Sequence, residues 1–298
     1  MAPPPPSTQP RSALPLGSVG LVVSGLVLQE VGASFAVLLF PQVGALGVVS
    51  LRLGFSALIL LAVCRPRLRG HGRAGWATVV AFGLMIAAMN VVFYEALARI
   101  PLGAAVTIEV LGPLAVSVFT SRKRSRWVWA VIAFAGVALL GQGSFGHLDP
   151  LGVVFAFAAG ATWAGYILLS ARAGAHFPRI DGLAIAMAVG AVATLPFGIT
   201  VTGTALFQPH ILLLGAAVAL LSSTLPYAFE LLALRRLPAA TFAILMSLAP
   251  AIATLAGLVI LDQRFTWVGA VAIGLVIVAS IGAVRSARPG PPTEPLPV

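Results

Sequence analysis

Charge is scarce in this chain. Of its 298 residues only 9% are charged, whereas 59% are hydrophobic, and the mean hydropathy is +1.04. A soluble domain carries roughly 25% charged residues. This chain cannot cover a water-facing surface, so it is a polytopic membrane protein. Cysteine is scarcer still: a lone Cys64 excludes a disulfide framework and reads as a small apolar residue at the end of a run. His71, His147, His176 and His210 are scattered, with no paired-histidine spacing for a metal. There is no phosphate-cradling Gly-Lys-Ser/Thr loop, so ATP is not the direct driver. There is no nucleophile elbow either, which argues against an intramembrane hydrolase. No cofactor and no catalytic residue are expected. The net charge of +10 does not point to nucleic acid, because the cations form short clusters between apolar runs and no folded domain presents them.

What the chain does have is apolar runs of membrane-spanning length, about 20 residues each. Cutting at charge clusters and Gly/Pro breaks predicts ten spans, at 17–40, 44–64, 76–95, 101–120, 126–142, 150–171, 181–201, 209–231, 238–261 and 266–284. The first run is too long for a cleaved signal peptide. The Pro-rich ends, 1–16 and 285–298, read as disordered tails. Short loops make neighbouring helices antiparallel and leave no room for an extramembrane domain.

Orientation follows from the loop cations. With a cytoplasmic N-terminus the inside carries 15: Arg11; Arg65, Arg67, Arg69, Arg73; Arg122, Lys123, Arg124, Arg126; Arg172, Arg179; Arg235, Arg236; Arg285 and Arg288. The outside carries two, Arg99 and Arg264, and Arg52 lies within a span. Both termini are therefore expected in the cytoplasm.

The two halves repeat. Pro101 and Pro113 stand 12 apart, as do Pro238 and Pro250. Ile100-Pro101-Leu102-Gly103-Ala104-Ala105 parallels Leu237-Pro238-Ala239-Ala240-Thr241. Trp127-Val128-Trp129-Ala130-Val131 parallels Trp267-Val268-Gly269-Ala270-Val271, and Gly32-Ala33-Ser34-Phe35-Ala36 parallels Gly160-Ala161-Thr162-Trp163-Ala164. Five spans per half, an odd number, turn the second copy upside down. The expected fold is all-α, ten transmembrane helices in two inverted five-helix repeats, 17–142 and 150–284. That is the architecture of a carrier with alternating access.

At Met89-Asn90, Phe93-Tyr94, Pro101-Leu102-Gly103, Glu109, Gly112-Pro113-Leu114-Ala115-Val116 and Ser121-Arg122 the chain resembles the drug/metabolite transporter superfamily, in its ten-helix EamA-type group. Leu225-Pro226-Tyr227, Arg236-Leu237-Pro238, Thr241-Phe242, Leu245-Met246-Ser247, Phe40-Pro41 and Leu51-Arg52-Leu53 carry the same resemblance. Within that group it is most similar to the threonine/homoserine exporter branch. It departs from the branch's pattern at Glu30, at Ala249 and at Asp262-Gln263. The resemblance implies a secondary transporter of the inner membrane that exports small amino acids. The alternative within the same fold is a carrier for other metabolites or drugs; the remote one is a non-transporting scaffold. Lipid and a small-molecule substrate are the expected partners, a proton the expected coupling ion, and monomer or homodimer the expected state.

A charge at the centre of a membrane helix costs roughly 2.5–3.5 kcal/mol on insertion scales. Glu30, Arg52 and Glu109 are placed to incur that cost. Glu109 lies eight residues past Pro101, about 12 Å deep, and its counterpart in the other repeat is the uncharged Met246. A symmetric frame with an asymmetric charge suits one central site. Glu109 and Arg52 are expected to line a common cavity, where Glu109 suits the ammonium and Arg52 the carboxylate of a zwitterion. Glu109 or Glu30 would carry the proton. The plainer alternative is that Arg52 pairs with a glutamate to ease packing. Asn90, Tyr94, Trp163, Tyr166 and Tyr227 add hydrogen-bonding or aromatic groups to the candidate site, or else pack. Glu95 is expected to pair with Arg99, and Glu230 with Arg235 or Arg236. Asp149, Asp181 and Asp262 read as solvated loop residues, Gly32 and Gly160 as points of close helix approach, and Pro113 and Pro250 as bends.

Overall fold

The computed structural model describes residues 16–119, 125–140, 148–177, 181–234, 237, 239–264 and 266–285, and all regular structure among them is helical. The expected disordered tails, apart from Leu16 and Arg285 at their edges, lie outside the described residues. So do Arg122, Lys123, Arg124, His147, Arg179, Arg235, Arg236 and Pro238.

Helix α1 (Leu16–Cys64) runs for 49 residues. A straight helix of that length would span about 74 Å, more than twice the roughly 30 Å hydrocarbon core. It is two helices. Gly44 takes φ 67° and ψ 170° and breaks the run, a backbone region open to a residue without a Cβ. Pro41, just before it, has no N–H for the carbonyl of Val37. The predicted gap between spans 17–40 and 44–64 falls there.

Then follow α2 (Arg73–Leu97), α3 (Leu102–Glu109), α4 (Leu111–Phe119), α5 (Ser125–Leu140), α6 (Pro150–His176) and α7 (Asp181–Thr202). After a short 3₁₀ turn come α8 (Pro209–Ala219), a π-helical turn (Leu220–Thr224), α9 (Leu225–Leu234), α10 (Ala239–Met246), α11 (Ala249–Ile260) and α12 (Trp267–Arg285). Among the described residues seven stretches are long and apolar enough to cross a membrane, α1 counting once despite its break, and Leu102–Val116 and Trp127–Leu140 are shorter apolar helices.

Two predicted spans are interrupted. Span 101–120 divides into α3 and α4 at Val110, and span 238–261 into α10 and α11 at Ser247 and Leu248. Each break precedes a proline, Pro113 or Pro250. Proline cannot bond the carbonyl four residues back, here Glu109 or Met246, and its ring crowds that turn. One loop residue is also corrected: Asp181 is buried at the start of α7 rather than solvated. Asp149 caps α6, its side chain accepting from Leu151 N at 2.8 Å.

Antiparallel alternation sorts the turns into two ends. At the far end, Thr202 Oγ1 donates to Val43 O at 2.7 Å beside the α1 break, and Leu102 N donates to Gln263 Oε1 at 3.1 Å. At the near end, where the described chain begins and finishes, His71 packs on Phe177 with ring centroids 4.2 Å apart. Helix α1 packs on α7, α8 and α9; α2 on α6; α3 on α11; α5 on α12. Glycines set the closest approaches. A Cβ on Gly112 would lie against the carbonyl of Gly160, and one on Gly32 would lie 2.8 Å from Ser222 N.

Candidate functional site

The helices enclose a cavity of about 440 Å³. Its wall includes Glu30 from α1, Asn90 and Tyr94 from α2, Glu109 from α3, Trp163 and Tyr166 from α6, and Tyr227 from α9, together with Arg52 from the second arm of α1. All eight residues singled out in the sequence are thus in the wall of one cavity. The lining runs from Glu30, Arg52 and Glu109 in mid-bundle to Glu230, Phe242 and Val284 toward the near end, and none of it comes from the far-end turns. There α3 and α11 meet tightly: a Cβ on Gly103 would clash with the side chain of Thr254.

Arg52 is held without a carboxylate. Its Nε donates to Ser223 Oγ at 3.0 Å, one terminal nitrogen to Asn90 Oδ1 at 2.5 Å and the other to Ser222 O at 3.1 Å. Its guanidinium carbon stands 5.4 Å from the centroid of the Tyr94 ring, a cation–π contact. The backbone explains the Ser222 acceptor. Pro226 has no N–H to return to Ser222, four residues back, and the π turn there loosens the ladder further. The carbonyl so released takes Arg52. Asn90 is fixed in turn by donating from Nδ2 to Ile86 O at 2.8 Å.

A guanidinium has five N–H donors, and three are used here. One remains on each terminal nitrogen, the number a carboxylate takes with its two oxygens. Among the described residues the ion pair is Glu95–Arg99 at 2.5 Å, as the spacing predicts, and Arg52 forms none. The packing alternative, Arg52 bonded to a glutamate, is therefore not what the structure shows. Glu30 and Glu109 lie within electrostatic range of Arg52 and of each other, so the cavity brings two carboxyl groups and one guanidinium together.

Three buried side-chain atoms, on residues that line this cavity, have no hydrogen-bond partner among the described residues: Glu30 Oε2, Tyr94 OH and Ser280 Oγ. Leaving such an atom unpaired costs about 1–3 kcal/mol. A solute with complementary groups would remove that cost.

Sequence reasoning missed several parts of the site. Ser222, in the wall, and Ser223, which holds Arg52 from behind it, gave no signal except the nearby Pro226. Glu230, expected to pair with Arg235 or Arg236, lines the cavity; both arginines lie outside the described residues. Pro113 does release the carbonyl of Glu109, but that oxygen lies against Gly160 on α6.

Comparison with known proteins settles the class. The threonine/homoserine exporter RhtA of Salmonella typhimurium strain LT2 is 41% identical over 264 residues, 87% of this chain and 88% of that protein. RhtA of Escherichia coli K12 is 41% identical over 261 residues, 86% of this chain and 88% of its own. The model of the EamA-like transporter family matches residues 150–285. This chain belongs to the EamA-like transporter family. A protein of known crystal structure shares the fold, with TM-score 0.63 and 19% identity over 91% of this chain and 96% of its own. The family accounts for a membrane bundle built around a cavity, and transport rather than catalysis is its work.

Proposed function

We propose that this chain exports threonine, homoserine and closely related small amino acids across the inner membrane by alternating access, driven by proton exchange. The observation that carries the reading is Arg52: a half-buried guanidinium with two donors left over by these bonds, in a cavity that also holds Glu109 and Glu30. An amino acid supplies the missing partners. Its carboxylate meets Arg52 and its ammonium meets Glu109. Glu109 or Glu30 takes up the counter-moving proton once substrate leaves. Tyr227, Trp163 and Tyr166 close over the solute from α9 and α6. The substrates named for the 41%-identical relatives fit this scheme.

The alternating-access frame has its own support. Both proline-interrupted helices, α3–α4 and α10–α11, break at matching points of the two repeats. The second arm of α1 packs on α7, α5 packs on α12, and the interrupted helix α3–α4 meets α10–α11 through α3 and α11; each pair of spans is one that a twofold axis in the membrane plane would exchange. This favours ten crossings in two inverted halves, 17–142 and 150–284. The excess of arginine in the near-end loops supports a cytoplasmic setting for that end and for both termini. A cavity extending to the near end is then loaded from inside, as an exporter requires.

The test is efflux of radiolabelled threonine and homoserine from cells carrying the protein, with and without a proton uncoupler. Efflux that collapses on uncoupling is expected. Flux of unrelated solutes in place of these amino acids would favour a broader metabolite or drug carrier, and no flux of any solute would return the scaffold reading.

A further inference from the structure

Two of the unpartnered buried atoms sit on neighbouring elements beside Arg52. Glu30 Oε2 comes from α1 and Tyr94 OH from α2. Glu30 is 2% exposed and Tyr94 is fully buried, and both line the cavity. The Tyr94 ring is fixed on three sides: by the guanidinium of Arg52, by Phe40 at 6.0 Å between centroids, and by Phe93 at 5.8 Å. Glu30, Tyr94 and Arg52 all lie within electrostatic range of one another.

We propose that Tyr94 and Glu30 form a subsite for the side-chain hydroxyl of the substrate, and so select hydroxyl-bearing small amino acids over their deoxy analogues. This rests on the exporter reading above. A phenol donates one hydrogen, and a carboxylate oxygen accepts one. An aliphatic hydroxyl is both acceptor and donor. It takes the hydrogen of Tyr94 and gives its own to Glu30, so one small group satisfies both orphans. A methyl satisfies neither. An ammonium, which has only donors, leaves the Tyr94 hydrogen without an acceptor. The neighbouring Arg52 holds the carboxylate at the other end of the same short molecule. A proton on Glu30 leaves one of its oxygens an acceptor, so the subsite is compatible with proton exchange. Selection of this kind is strong, because a site built to bond a hydroxyl leaves its own buried groups unpaired when the hydroxyl is missing.

The chemistry of the substrates supplies a test. Replacing the hydroxyl of either threonine or homoserine by hydrogen produces the same compound, 2-aminobutyrate. The full-length protein in proteoliposomes is assayed for kcat/KM on homoserine and on 2-aminobutyrate, in the wild type, Tyr94→Phe and Glu30→Met. The wild type is expected to favour homoserine by roughly 30-fold or more, and each variant to lower that ratio about tenfold. Using a ratio removes differences in folded yield, and if one variant fails to reach the membrane the other reads the same subsite. Equal rates on the two compounds in the wild type, or an unchanged ratio in the variants, overturn the subsite and leave the exporter standing. A wild type that moves neither compound overturns both.

Discussion

Exchanging Arg52 for lysine separates its charge from its shape. The positive charge survives, but the planar fork that reaches Ser223, Asn90 and the Ser222 carbonyl together does not. An ammonium on a four-carbon stem has three donors in all. If it keeps two of the protein acceptors, one donor is left for the substrate where arginine offers two. A hydrogen bond to a charged group contributes about 1.5–3 kcal/mol. Loss of one such bond raises the apparent KM for threonine or homoserine roughly 10- to 100-fold. The carboxamide of the same amino acid, which has no anionic end, serves as a competing inhibitor. Its potency in the lysine variant should change by less than about threefold, because it does not use the fork in the same way. The assay is concentration-dependent efflux from proteoliposomes, normalised to protein in the membrane. A KM within twofold of wild type would refute the reasoning. Arg52 would then be a brace joining α1 to α2 and to the π turn before α9, and not a receptor for the carboxylate.

Other residues make separate predictions. Glu109→Gln keeps the shape of the side chain but cannot ionise; efflux should be lost with protein in the membrane unchanged, and undiminished efflux excludes Glu109 from the transport cycle. Gly112→Ala drives a methyl against the backbone carbonyl of Gly160, so it should destabilise by about 1–3 kcal/mol and lower the melting temperature in detergent by a few degrees, whereas an unchanged melting temperature means that α4 and α6 are not in contact there. Gln263→Ala removes the acceptor for Leu102 N at the head of α3, a cap whose loss costs about 0.5–2 kcal/mol. That bond joins α3 to the loop after α11 at the closed end, so its loss should increase thiol labelling of a cysteine placed at Ala105 in a Cys64→Ser background; equal labelling would show that Gln263 does not hold that end shut.

How much of this was legible beforehand depends on the kind of evidence each feature leaves in a sequence. Spans leave a long one. A helix in lipid needs an unbroken apolar length, and the predicted limits of α2, α5 and α7 fall within a few residues of those observed. Breaks leave a shorter one: Pro113 and Pro250 promised a bend, but the interruptions lie upstream of them, at Val110 and at Ser247 and Leu248, because the lost bond belongs to the carbonyl four residues back. The eight candidate residues meet at one cavity for a reason that composition alone contains. In a chain with so few polar groups within its spans, each such group must find the interior or incur the cost of lipid.

The partners of Arg52 were not legible, and the reason is geometric. Ser222 and Ser223 are 170 and 171 residues away in the chain, and serines in a membrane helix usually bond back to their own backbone, as Ser222 does to Val218 O at 2.7 Å. What marks them out is Pro226, which removes a donor and leaves an acceptor. The same logic runs in reverse for Glu230, which looked like a helix-end residue beside Arg235 and Arg236 and instead lines the cavity. Local spacing ranks neighbours on one helix face; it carries nothing about which face the bundle turns inward. An arginine inside a helix bundle does impose one general demand, that neutral acceptors come from whichever helix has carbonyls to spare. In this bundle the spare carbonyl is at the π turn before α9, and that is why a residue in the first half of the chain is held by the second half.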